Sequence, residues 1–119
     1  MNPVAVTEDP ALSDVVALLD DEYARAILEA TSEGPKSAKE LSEECDASLP
    51  TVYRRAESLQ ECGLLREETR LQDDGNHYSV YLATLERLSV ELTEGSFDME
   101  LQRTEQDVAD TFTDMWHRL

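Results

Sequence analysis

SAKELSEECDASLPTVYRRAESLQECGLL, residues 37–65, decides how the rest of the chain is read. Ser37 followed three residues later by Glu40 has capping-box spacing and opens a short helix through Leu41 to Cys45. Asp46-Ala47-Ser48 reverses the chain, and Ser48 caps a longer helix. Pro50 is tolerated there because it falls in the first turn, and Gly63 ends the helix as a C-cap. Val52, Ala56 and Leu59 share the inner face of the second helix, leaving Thr51, Tyr53, Arg54 and Arg55 on its outer side. Two short amphipathic helices joined by a tight polar turn predict a helix-turn-helix.

On the N-terminal side, Ser13 is placed to cap a helix through Leu12, Val15, Val16, Leu18 and Leu19, with Asp14 in its first turn. A second helix is expected from about Asp20 to Thr31, stopped by Gly34-Pro35. After Gly63 the period changes. Residues 64–70 and 77–82 flank Gln72-Asp73-Asp74-Gly75-Asn76, a strong reversal signal, and a hairpin directly behind such a helix pair is a wing. Leu88, Val90 and Leu92 alternate with polar residues and predict one more strand before Gly95. From about Phe97 onward, Phe97, Leu101, Val108, Phe112, Met115, Trp116 and Leu119 recur at helical spacing, and Leu101, Val108 and Met115 lie seven apart. The expected fold is therefore mainly α with a small antiparallel β-hairpin: an acidic tail at 1–10, a winged helix-turn-helix at 11–96, and a long C-terminal helix at 97–119.

At 119 residues the chain has room for one core. No run of 18 apolar residues spans a bilayer, and the acidic start MNPVAVTEDP is unlike a signal peptide, so a soluble cytoplasmic protein is expected. Cys45 and Cys62 fit neither a disulfide framework nor a CxxC metal pair. His77 and His117 share no metal-ligand spacing. Nucleophile triads, paired carboxylates and phosphate loops are likewise not distinguishable from chance among 27 acids, so no catalytic or metal site and no cofactor are expected.

The formal net charge of -17 argues against a polyanion partner. Its distribution softens that argument. Residues 1–33 hold eight carboxylates against Arg25 (-7), residues 34–85 ten against six bases (-4), and residues 86–119 nine against three (-6). The middle segment is the longest and the least acidic. With 40% hydrophobic residues at regular spacing the chain should fold, and the acid then forms a solvated coat. Such a coat with only Lys36 and Lys39 as lysines resembles proteins of salt-loving archaea, in which potassium and chloride ions screen the surface.

Within the helix pair, Arg54 and Arg55 offer planar forks for guanine or phosphate, while Ser48, Pro50 and Thr51 sit where the helix N-terminus meets a phosphate. Tyr53 reaches a phosphate or a thymine methyl. Arg66, Arg70 and His77 on the wing, with Lys36 and Lys39, are candidate backbone contacts. The competing reading is that Arg54 and Arg55 pair with Glu57 and Glu61, and that the wing bases balance Glu67, Glu68, Asp73 and Asp74. The terminal stripe also has two readings: packing on the chain's own first helix, or a homodimer interface built by Leu101, Val108, Phe112, Met115, Trp116 and Leu119 with Leu12 and Val16.

The strings Thr51-Val52-Tyr53-Arg54-Arg55 and Asp74-Gly75-Asn76-His77-Tyr78 resemble the recognition helix and wing of archaeal winged helix-turn-helix regulators of the ArsR and PadR-like type, especially the haloarchaeal group that includes regulators of the response to reactive oxygen species. The resemblance covers about Asp20 to Leu92. It implies a dimeric regulator that binds double-stranded DNA. Glu40 to Asp46 loosely resembles the ArsR metal-sensor helix but has one thiol where that motif needs two, which argues against soft-metal sensing. The rival reading is an acidic winged helix that binds protein, as a DNA mimic or adaptor.

Overall fold

The computed structural model describes residues 10–104. Four helices come first: α1 (Leu12–Asp20), α2 (Glu22–Ser32), α3 (Ala38–Glu44) and α4 (Leu49–Glu61), with a two-residue strand β1 (Lys36–Ser37) before α3. Four longer strands follow, β2 (Leu65–Leu71), β3 (His77–Ala83), β4 (Leu85–Thr93) and β5 (Ser96–Arg103). β2 and β3 form the expected hairpin, and β1 adds to its other side to give an antiparallel sheet of order β1-β3-β2. β4 and β5 form a separate two-stranded ribbon. The first four helices and the β2–β3 wing are the arrangement of a winged helix-turn-helix.

Local chemistry explains the helix ends. Asp21 separates α1 from α2 and caps α2 by accepting from the Ala24 N–H at 2.7 Å. Ser37 and Glu40 make both halves of the capping box, at 3.2 and 2.8 Å. Between α3 and α4, Asp46 takes a left-handed conformation (φ +52°), which a short polar side chain tolerates. The Ala47 N–H then reaches back to the Ser42 carbonyl at 3.1 Å and closes the turn. α4 ends in a Schellman motif: Gly63 (φ +74°) donates to Gln60 O and Leu64 to Leu59 O, both at 2.9 Å. This motif drops Leu64 into the core.

The core lies where α1, α2, α3 and α4 meet the root of the wing. Val15, Ile27, Leu41, Val52, Leu59 and Leu64 are fully enclosed, and Leu65, Val80 and Tyr81 bring the wing root in beneath them. Each enclosed aliphatic side chain is worth about 1.5–3 kcal/mol of transfer free energy. The one buried polar residue among those described, Thr31, is satisfied by donating to Ile27 O at 2.7 Å.

Three expectations need correction. Ser13 does not cap α1: the helix begins at Leu12, with Ala11 at the N-cap position and no side-chain bond there. The Ala11 carbonyl takes the N–H groups of Asp14 and Val15, so Ser13 already lies inside the first turn. No helix starts at Phe97. Residues 96–103 are β5, joined to β4 by Glu94-Gly95, both at positive φ (+54° and +84°), the requirement of a two-residue I′ turn. Phe97 and Leu101 are four apart, but Phe97, Met99 and Leu101 alternate with Asp98, Glu100 and Gln102, and the strand period wins because β4 supplies a partner in register. The boundary drawn between residues 96 and 97 therefore cuts through a hairpin. Val108, Phe112, Met115, Trp116 and Leu119 lie outside the described residues.

Candidate nucleic-acid interface

α4 is exposed along one side from its first turn. Leu49 and Pro50 occupy its first two positions, and Ser48 accepts from the Thr51 N–H at 3.2 Å while meeting the Thr51 hydroxyl at 3.0 Å. Three and four residues beyond Pro50 come Tyr53, 54% exposed, and Arg54, also exposed. Arg54 reaches only the Thr51 hydroxyl, at 3.4 Å, and makes no ion pair among the described residues. Its fork thus stands out from the helix with its charge uncompensated at close range.

Arg55 turns the other way. Its Nε and Nη2 grip Asp21 at 2.8 and 3.2 Å, and its guanidinium lies 5.9 Å from the centre of the Tyr23 ring. The same Asp21 carboxylate caps α2, so Arg55 ties the long helix to the helix start behind it. Hydrogen bonding to Arg55 holds the Asp21 carboxyl below its ordinary range against the opposing effect of burial, and the bond to Asp21 pushes Arg55 up. Of the two adjacent arginines, one faces solvent and the other serves the scaffold.

Between α4, the start of α3 and the wing lies an open groove of about 360 Å³, bordered by Ser37, Lys39, Tyr53, Glu67, His77 and Tyr78. Lys39 is exposed and in no ion pair among the described residues. The wing tip is held by Gln72 N–H donating to Asn76 O at 2.7 Å and by Asn76 N–H donating to Asp74 at 3.0 Å, with Gly75 at φ +88°. Tyr78 was not among the sequence candidates, although it ends the Asp74–Tyr78 string; it shares a face of β3 with the buried Val80 and is 40% exposed because it lies farther out toward the wing tip.

The other bases are engaged nearby. Lys36 pairs with Glu44 at 3.0 Å, and its ammonium is pushed up mainly by that bond. Arg66 and Arg70 share Glu68, at 2.5 and 3.1 Å. The structure thus groups Tyr53, Lys39 and His77 around one groove, with Arg54 beside it. Lys36, Arg55, Arg66 and Arg70 are held by carboxylates.

The far end of α4 is also fixed. Arg103 on β5 donates to Gly63 O at 2.8 Å and Cys62 O at 3.3 Å, a cation at the negative end of the helix dipole. Thr84 adds a hydroxyl bond to Gly63 O at 2.9 Å. Sequence reasoning missed this clamp, since nothing local links residues 40 positions apart. Burial pushes the Cys62 thiol up, with Asp14 and Glu61 adding to it and Arg103 opposing; burial and Glu44 likewise push Cys45 up. Among the described residues no cluster of His, Cys, Asp or Glu has the geometry to hold a metal ion, and no helix is long and apolar enough to cross a membrane.

Residues 19–68 match the profile of a family described as a helix-turn-helix domain. That span runs from the end of α1 to the first residues of β2, and so contains α2, α3 and α4. Among solved structures, one similar chain is a possible transcriptional regulator from Methanosarcina mazei Go1, with 16% sequence identity, a TM-score of 0.48, and coverage of 60% of this chain and 62% of that one. The present chain thus spans less than two thirds of that regulator's length. The comparison with curated proteins gives no match.

Proposed function

We propose that the protein is a sequence-specific DNA-binding transcriptional regulator, adapted to high salt and acting as a homodimer on two-fold promoter sites. α4 enters the major groove, and the wing lies along the adjoining backbone. The observation that carries this reading is the outward presentation of Tyr53 and Arg54 on α4, beside a groove whose opposite wall is the wing. In this reading Arg54 contacts base edges, and Tyr53, Thr51, Pro50 and the Ser48 end of the helix meet the flanking phosphates. Lys39 and His77 hold the backbone on either side. Arg55 acts behind them by fixing the angle of α4 through Asp21.

A dimer supplies two such helices about 34 Å apart, one turn of DNA. Val16 on α1, 48% exposed, and the C-terminal part of the chain are its candidate contacts. Because Lys36, Arg66 and Arg70 are already paired with carboxylates, few cations remain to release counterions from DNA. Affinity would rest on short-range contacts, favoured in molar potassium chloride where the Debye length is about 3 Å. Specific binding should therefore depend weakly on salt, or strengthen with it. Control of a response to reactive oxygen species is the setting the haloarchaeal resemblance suggests. The raised thiols of Cys45 and Cys62 make them poor sensors, so Cys45→Ser with Cys62→Ser should leave an oxidant response intact.

The same ion pairs favour one rival, an acidic module that docks on a basic protein surface without touching DNA. Selection of bound sequences from genomic fragments in 2 M potassium chloride separates the two. At about 1–3 kcal/mol per specific base contact, Arg54→Ala should weaken the selected site roughly 10- to 100-fold. Unchanged binding in Arg54→Ala with Tyr53→Ala, or a wild type that selects no sequence, would reject the DNA reading.

A further inference from the structure

Among the described residues, α4 carries two exposed large apolar side chains: Leu49, 41% exposed, and Tyr53, 54%. They stand four residues apart and so share a side of the helix, and Tyr53 borders the groove between α4 and the wing. Val52, Ala56 and Leu59 carry the packing of α4 on the core, while Leu49 stays outside it. An isolated exposed leucine is ordinary on a protein surface. One at the first position of the helix presented to a groove, one turn before an exposed tyrosine, has a specific chemical use.

We propose that Leu49 is a specificity-determining residue, which reads a thymine by packing on its C5-methyl group. The inference rests on the DNA-binding reading above. Along the base edges of the major groove the thymine methyl is the apolar feature, set among hydrogen-bond donors and acceptors. Leu49 has no donor or acceptor on its side chain, so against a base edge it discriminates by that methyl. Arg54, with its fork of donors, reads by the opposite chemistry, and the two side chains together select a site that neither would select alone.

Three features of α4 place the contact at its start. The first turn has little backbone left for a phosphate: Pro50 carries no N–H, the Thr51 N–H donates to the Ser48 hydroxyl at 3.2 Å, and the Val52 N–H donates to Ser48 O at 3.0 Å. Phosphates at that end fall to the Ser48 and Thr51 hydroxyls, and Leu49 is left to face a base. Beyond Arg54 the exposed residues include Glu57 and Glu61, which repel phosphates at contact distance and confine the reading surface to residues 49–54. Finally, a methyl contact carries no charge, so molar salt does not screen it. That suits a chain in which Lys36, Arg55, Arg66 and Arg70 are already paired with carboxylates.

The test uses the full chain and the DNA site it selects from genomic fragments in molar potassium chloride. Each thymine of that site is replaced in turn by deoxyuridine, which differs only in lacking the methyl. One position in each half-site should lose affinity about fourfold, the worth of one buried methyl-sized group (~0.8 kcal/mol), while the other replacements have little effect. Leu49→Ala should bind the thymine and deoxyuridine forms of that position equally, with an unfolding midpoint close to wild type, and should keep the sensitivity of the site to Arg54→Ala. Leu49→Gln, which preserves side-chain length, should lose the methyl preference in the same way and serves if the alanine variant fails to fold. A selected site indifferent to every deoxyuridine replacement overturns the inference and leaves the DNA reading standing. So does a thymine preference that survives in both Leu49 variants, since another side chain then reads the methyl. A wild type that selects no sequence overturns the DNA reading and this inference with it.

Discussion

The wing and the ribbon are both antiparallel hairpins, yet they distribute their apolar residues in opposite ways. In the wing, Leu65, Val80 and Tyr81 at the root are almost entirely enclosed, and beyond them the strands are mostly polar, with Leu71 and Tyr78 as scattered exposed exceptions before the Asp-Gly-Asn tip. In the ribbon the apolar alternation continues to the last pair, Leu92 and Phe97, far from the core. A hairpin that is mostly polar beyond its root is largely finished by its own domain and free to meet a polar, hydrated partner. One that stays apolar to its tip still has surface to bury. The difference marks the wing as a candidate for nucleic acid and the ribbon as a candidate for protein.

The largest expected effect breaks this contrast if it fails. Leu65→Ala removes an aliphatic side chain that is 4% exposed, and should cost about 2–5 kcal/mol in denaturant unfolding at high salt. Leu92→Ala, at 65% exposure, should cost clearly less, about 1 kcal/mol or less. Equal losses would mean that root and tip are equally buried and would erase the distinction.

The same contrast shows what was legible in the chain. The Ser37 and Ser48 caps, the turn at Asp46, the Gly63 stop and the Gln72–Asn76 reversal of the wing are local patterns, each fixed by residues within five positions of one another, and all appear in the structure, whereas the Ser13 cap does not. β5 was missed because Phe97 and Leu101 satisfy both a helical and a strand period, and only the in-register partner strand decides between them. At the candidate interface, exposure of Tyr53 and Arg54 follows from helical periodicity. The assignment of Arg55 does not, since its partner Asp21 is 34 residues away and helical spacing alone put it on the same side as Arg54. Long-range pairing is invisible to a pattern read in a short window.

A medium effect tests how the ribbon is fastened to α4. Gly63 has φ +74°, and a Cβ there would lie 2.8 Å from the Arg103 guanidinium. Gly63→Ala should cost about 1–2 kcal/mol for the left-handed backbone, plus the loss of Arg103's grip on the α4 carbonyls. In an Arg103→Ala background the second part disappears, so the cycle should show coupling of about 0.5–1 kcal/mol. Strict additivity of the two changes would mean that the ribbon and α4 are fastened elsewhere.

The smallest effect concerns the fixed arginine. The Asp21 carboxyl is held below its ordinary value of 3.8, chiefly by Arg55. A carboxyl with a depressed folded-state pKa stabilises the fold above its unfolded value, and that contribution is lost as pH falls through the folded one. Asp21→Asn should therefore lower stability at pH 7, by about 1 kcal/mol or less because the pair is partly solvated and the amide still accepts the Ala24 N–H. The gap between wild type and variant should hold constant down to about pH 4 and close below it, as wild-type Asp21 takes up its proton. Unfolding curves of both proteins at a series of pH values, in the same molar salt, measure that gap while cancelling the general effect of protonating the acidic coat. A gap that persists unchanged at pH 2 would mean that Asp21 acts through shape and not charge. Arg55 would then be held by Tyr23 and packing, and the orientation of α4 with its exposed Arg54 would not depend on the ion pair.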